Sequence, residues 1–179
     1  MVFQNSFVLW LLGPTSCGKT TIAKQLLSFM RENRIPVIHY DGDEVRDLFG
    51  PEFGFSQEQR LKVVKTVVHL TNKATEAGLN VIVSALTANP DARRYVDEHT
   101  QNIITGYVKC SIDECAKRDP KGLYKKAQNG EINTLIGYNS EYHEPENPDL
   151  VLDSERYSPE ELAAKAFEYL SSLNANNRA

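Results

Sequence analysis

Gly13, Pro14, Thr15, Ser16, Cys17, Gly18, Lys19 and Thr20 satisfy the pattern G-x-x-x-x-G-K-S/T. In that pattern the glycines let backbone N–H groups curl around phosphate oxygens, and the positive end of a helix dipole points at the same charge. Lys19 is expected to reach the β- and γ-phosphates of ATP, and the Thr20 hydroxyl to take a position on Mg²⁺. Thr21 completes the expected ATP-binding stretch. A glycine-rich turn holding no ligand is the alternative. The flanking pattern, an apolar run before the loop and an amphipathic run after it, argues for the phosphate-binding reading. A helix N-terminus could lower the Cys17 thiol pKa, but a small loop-filling residue is the simpler role, and no chemistry is assigned to it.

Phosphoryl transfer also needs a carboxylate to accept the attacking hydroxyl's proton and another to steer Mg²⁺ or its waters. Asp41 and Asp43, one residue apart, suit both tasks, and residue type alone leaves open which does which. A plain Asx turn at Asp-Gly is the competing local reading. Arg46 and Arg60 are candidates for gripping a second phosphate-bearing ligand through the bidentate guanidinium fork.

These residues need a scaffold, and the hydrophobic pattern supplies one. Phe7 to Leu12 is a continuous apolar run ending at Gly13, as in a strand buried on both faces. A helix is expected from Lys19 to Glu32, then a strand from Val37 to Tyr40 that delivers the acidic cluster to the carboxyl edge of a sheet, where ligands bind. Ser56 and Gln59 form a capping-box pair before a long helix that Gly78 stops. Val81–Leu86 reads as a strand, Asn89-Pro90 as a helix start, Gly106–Cys110 as a strand, and Ser111/Glu114 as another capping box. The stretch 119–148, rich in Lys, Gly, Asn, Glu and Pro, reads as a mobile lid rather than a core element. Leu150–Leu152 gives a last strand, Ser158-Pro159-Glu160-Glu161 opens a terminal helix, and the tail from Asn174 is expected to fray. The fold class is α/β, a parallel sheet with helices on both faces, in a single domain over 1–179.

Composition narrows the partners. The 179 residues are 41% hydrophobic and 25% charged, with 20 basic against 24 acidic residues and a net charge of −4. No basic run offers a footprint for nucleic acid, and no segment reads as a signal peptide or membrane span, so a cytoplasmic location is expected. Cys17, Cys110 and Cys115 lack the spacing of a disulfide framework or zinc site. His39, His69, His99 and His143 lack metal-ligand spacing as well. Tyr124, Tyr138 and Tyr142 either pack over a nucleotide or fold the lid upon itself.

Gly13–Thr20, Asp41-Gly-Asp-Glu-Val-Arg46, Gly54-Phe-Ser-Gln-Glu-Gln-Arg60, Arg118-Asp-Pro-Lys-Gly-Leu-Tyr-Lys-Lys-Ala127 and Pro145-Glu-Asn-Pro-Asp-Leu-Val-Leu-Asp153 together resemble adenylylsulfate kinases in order and spacing. The resemblance spans Phe7 to Asp153 and implies a P-loop kinase fold. It also implies ATP- and Mg²⁺-dependent phosphorylation of the ribose 3′-hydroxyl of adenylylsulfate, commonly by a homodimer. By that resemblance Asp43 is the base, Asp41 organises the metal, and Arg118 with Lys121 closes over the nucleotides. The acceptor would lie against Asp41, Arg46, Phe55, Arg60, Thr87, Lys121 and Leu135. Departures cluster at the acceptor. Val63 and Lys65 or Thr66 stand where the family has an Asn-x-x-Arg-like pair, Leu86-Thr87-Ala88 replaces Ile-Ser-Pro, and Leu135 replaces a phenylalanine that with Phe55 would sandwich adenine. Two other readings follow: the same chemistry on cytidine diphosphoramidate, or a nucleotide-binding module without catalysis.

Overall fold

Five short segments rich in apolar and β-branched residues become the five strands of one parallel sheet. They are β1 (Val8–Leu12), β2 (Val37–Asp41), β3 (Asn80–Ser84), β4 (Ile103–Lys109) and β5 (Leu150–Asp153). The computed structural model describes residues 5–176. Strand order is β2-β3-β1-β4-β5, with every pair parallel. Parallel pairing demands crossovers, and helices supply them. These are α1 (Lys19–Glu32), α2 (Gly42–Phe49), α3 (Gln57–Glu76), α4 (Pro90–His99), α5 (Ile112–Arg118) and α6 (Leu123–Gln128), followed by the terminal α7 (Pro159–Asn176).

Because side chains alternate along a strand, β1 feeds two cores. Leu9 and Leu11 pack with Ile22, Leu26 and Met30 of α1 and Leu162 and Ala166 of α7. Val8, Trp10 and Leu12 pack on the other face with Val64 and Val67 of α3 and Val96 of α4. Among the described residues no helix is long and apolar enough to cross a membrane.

Local capping chemistry sets several boundaries. The Ser56/Gln59 box forms in both directions at the start of α3, and Gly78 follows that helix at φ +81°. Ser158 and Glu161 form the same reciprocal pair at α7. At α5 only half the expected box forms. Ser111 Oγ accepts from the Glu114 N–H, but the Ser111 N–H donates to Glu155, while Glu114 pairs with Lys117 and Arg118. α7 runs to Asn176, and the rest of the tail expected to fray lies outside the described residues.

The stretch 119–148 departs from the expectation of an excursion outside the core. It contains α6, whose Tyr124 is 1% exposed, and it sends Ala127 and Leu135 into the α1/α7-side core. Tyr124 also donates its hydroxyl hydrogen to Thr15 O at 3.2 Å, so this tyrosine folds the segment down onto the phosphate-binding loop.

Candidate active site

The loop after β1 can turn only because of its glycines. Gly13 has φ +155°, and a Cβ there would lie 2.6 Å from Val108 O and 2.8 Å from Cys17 Sγ. Gly18, at φ +101°, caps α1 with its backbone. Lys19 Nζ arches back to donate to Gly13 O at 2.9 Å and Pro14 O at 2.7 Å. Ser16 sits at φ 67° with its buried hydroxyl unpartnered among the described residues. An oxyanion would satisfy such a group, since a buried polar atom without a partner is costly. Cys17 is free and buried, and burial pushes its thiol pKa up, which fits a loop-filling role.

Asp41 ends β2 and caps α2, a helix the sequence reading did not foresee. Its Oδ1 accepts from the Asp43 N–H at 2.9 Å, so the Asx turn is real. The turn coexists with a site, because Asp41 Oδ2 accepts from Thr20 Oγ1 at 2.6 Å. Thr20, in the first turn of α1, and the buried Asp41, at the end of β2, bring a hydroxyl and a carboxylate, both hard oxygen donors, together at the carboxyl edge of the sheet. Such a pair suits Mg²⁺, which binds through one or two protein oxygens and keeps several waters.

Asp43 stands two residues on, in the first turn of α2, half-exposed between two cations. Its Oδ1 lies 2.7 Å from an Arg46 nitrogen and its Oδ2 lies 2.5 Å from Lys121 Nζ. Burial opposes ionisation of Asp43, but the Lys121 hydrogen bond and charge, with Arg46 and Lys19, hold its carboxyl below the ordinary carboxylate range. Burial likewise opposes the Lys121 charge, and the Asp43 partner outweighs it, so the ammonium is raised.

All of these groups open into one cavity of about 730 Å³. The sheet order divides it at β1. On the β2/β3 flank lie Phe55, Arg60, Val63 and the 84–89 stretch. On the β4/β5 flank lie Arg118, Ser154, Tyr157, Pro159 and Leu162. The last four of these escaped the sequence reading. Their signal was position, since they follow the carboxyl end of a parallel strand.

On the β2/β3 flank, Arg46 and Arg60 hold their guanidinium carbons 4.8 and 5.4 Å from the exposed Phe55 ring centre. Arg60 donates to Phe55 O and Thr134 O, and burial with the nearby Arg46 lowers its pKa to about 10. Val63 is buried on the cavity wall. Thr87 lines the cavity too, although its hydroxyl faces Trp10, whose indole N–H donates to it. Leu135 is placed otherwise than expected. It is 6% exposed within the core, and the neighbouring Ile136 lines the cavity in its stead. Arg118 pairs with Glu114 and donates to Ser154 O at 2.7 Å on the opposite flank.

Comparison with known proteins places this architecture. A sequence model described as adenylylsulphate kinase matches residues 5–153. A probable adenylyl-sulfate kinase of Pyrococcus abyssi is 40% identical over 160 residues, covering 89% of this chain and 92% of the relative. An adenylyl-sulfate kinase of Bacillus velezensis is 37% identical over 171 residues, covering 93% and 86%. The structure of the Mycobacterium tuberculosis APS kinase in complex with AMPPNP and APS superposes with a TM-score of 0.87 at 28% identity, covering 93% of this chain and 98% of that one. Shikimate kinase from Aquifex aeolicus, at 20% identity and a TM-score of 0.54, shares the fold. With a matching family model over most of its length and relatives of this identity, the chain belongs to the adenylylsulphate kinase family of phosphotransferases.

Proposed function

We propose that the chain transfers the γ-phosphoryl group of ATP to the ribose 3′-hydroxyl of adenylylsulfate. One observation carries this reading: the Asp41/Asp43 pair shares a cavity with Lys19 and Thr20, with Asp43 ionised between Arg46 and Lys121. The loop N–H groups and Lys19 bind the β- and γ-phosphates, and Lys19 must first leave Gly13 O and Pro14 O. Phe55, Arg46 and Arg60 hold the acceptor on the β2/β3 flank, stacking on its base and countering its negative charge. Asp43 accepts the proton of the attacking hydroxyl as the new O–P bond forms and ADP departs with the old bridging oxygen. Thr20 and Asp41 would hold Mg²⁺, which when bound would neutralise charge on the phosphate oxygens. Lys121, in the segment 119–148, and Arg118, at the end of α5, close over the nucleotides, excluding water that would otherwise hydrolyse ATP. The family resemblance supports a homodimer, which sedimentation of the purified chain tests.

Incubation with ATP, Mg²⁺ and adenylylsulfate, followed by ³¹P NMR, tests the reading. A new ribose 3′-phosphomonoester appearing with equal ADP is the expected product. Nucleotide binding without ADP release would instead favour a silent module. A specific observation keeps cytidine diphosphoramidate as second reading: Val63 and Thr87 bring neither amide nor aromatic ring to the cavity that Phe55 lines, and Leu135 lies in the core. A lost stacking wall weakens base binding by roughly 1–3 kcal/mol.

A further inference from the structure

Thr87 has φ +41°, a left-handed conformation that a β-branched residue rarely adopts. Strain of this kind persists only where the surroundings over-determine it. Two hydrogen bonds do so here. Trp10 Nε1, from a fully buried residue in the middle of β1, donates to Thr87 Oγ1 at 2.9 Å. Arg93 Nε, from α4, donates to Thr87 O at 2.8 Å. The same guanidinium donates a second time, to His143 O, and lies 5.8 Å from the Tyr142 ring centre. Thr87 also lines both the site cavity and a second one of about 950 Å³, whose walls include Trp10, Arg93 and His143.

The arrangement joins three places that are far apart in sequence: the central strand, the β2/β3-flank wall of the cavity, and residues 142–143 near the end of the segment 119–148. A buried indole N–H needs a partner, and an apolar residue in β1 would need none. We propose that Trp10, Thr87 and Arg93 form a positioning unit that sets the acceptor-side wall and fastens it to the end of the lid segment. Trp10 and Arg93 act through Thr87 and touch no substrate. This inference rests on the proposed function for what the wall binds, and stands on its own for the wall's geometry.

Thr87→Val removes the hydroxyl and keeps the shape, Thr87→Ser keeps the hydroxyl, Trp10→Phe removes the donor, and Arg93→Lys removes the two-pronged bridge at a half-buried site. Thr87→Val and Trp10→Phe are each expected to raise the KM for adenylylsulfate roughly five- to tenfold, the range a single hydrogen bond supports, while the KM for ATP stays within about twofold. Both changes delete one bond, so the double variant should match the worse single. Thr87→Ser restores the acceptor KM, and Arg93→Lys raises it. Equal movement of both KM values, or multiplied effects in the double variant, would overturn the proposal. Amide hydrogen exchange without substrates gives an arm independent of acceptor identity. Residues 85–89 and 142–144 should exchange faster in Thr87→Val and Arg93→Lys but not in Thr87→Ser, and unchanged exchange overturns the unit. Absence of wild-type turnover with adenylylsulfate would contradict the proposed function alone, leaving the exchange arm to decide this one.

Discussion

Lys121 Nζ lies 2.5 Å from Asp43 Oδ2 across 78 residues of sequence, joining the segment before α6 to the first turn of α2. The pair holds the proposed base as a carboxylate and ties up a cation that a bound triphosphate would compete for. Lys121→Met should therefore raise the Asp43 pKa towards the ordinary value of about 3.9, read by ¹³C NMR titration of the carboxyl. The sign for stability follows from the depressed folded-state pKa. The advantage of wild type over Lys121→Met is present above the unfolded carboxylate value and fades as pH falls through the lower folded value. An advantage that instead grows on acidification would contradict the pairing.

Asp43→Asn keeps size and hydrogen-bonding capacity but cannot accept a proton. Its kcat should fall by roughly 10²–10⁴-fold, the usual worth of general base catalysis. The ATP dissociation constant, measured by calorimetry, should change little. Retained kcat would move the base elsewhere.

Lys19→Ala removes the cation expected on the γ-phosphate, and loss of one such donor typically costs on the order of 10²–10³-fold in rate. The circular dichroism spectrum should be unaltered, since among the described residues the hydrogen bonds of Lys19 Nζ go to the loop carbonyls of Gly13 and Pro14 and to Cys17 Sγ.

Leu135→Ala should destabilise the chain by about 2–5 kcal/mol in urea unfolding, as for a leucine truncated in a core. A surface residue of the acceptor pocket would give far less, so a change under about 0.5 kcal/mol would contradict its place beside Tyr124 and Ala127.

Elements written in local sequence were legible. The bounds of α1 and the boxes at Ser56 and Ser158 depend on residues within one turn of each other, and they stand where the spacing puts them. The Asp41/Asp43 cluster was legible as chemistry but not as structure. Gly42 obscured a helix start that Asp41 as N-cap, with Asp43 and Glu44 in the first turn, does signal. β4 begins at Ile103, before the expected Gly106, because pairing with Val8 and Leu9 of β1 extends it through a polar threonine. Leu135 was misplaced for a non-local reason: contacts with the core decide where it sits, and neighbours in sequence say nothing of them. The Trp10–Thr87 bond, spanning 77 residues, was equally invisible.

The central claim is the transfer of phosphoryl from ATP to adenylylsulfate, and kcat/KM for adenylylsulfate and cytidine diphosphoramidate, side by side at saturating ATP and Mg²⁺, tests it most directly. Higher efficiency with adenylylsulfate, lost in Asp43→Asn, is the predicted result. A marked preference for the cytidine compound, or no turnover of adenylylsulfate, would contradict it.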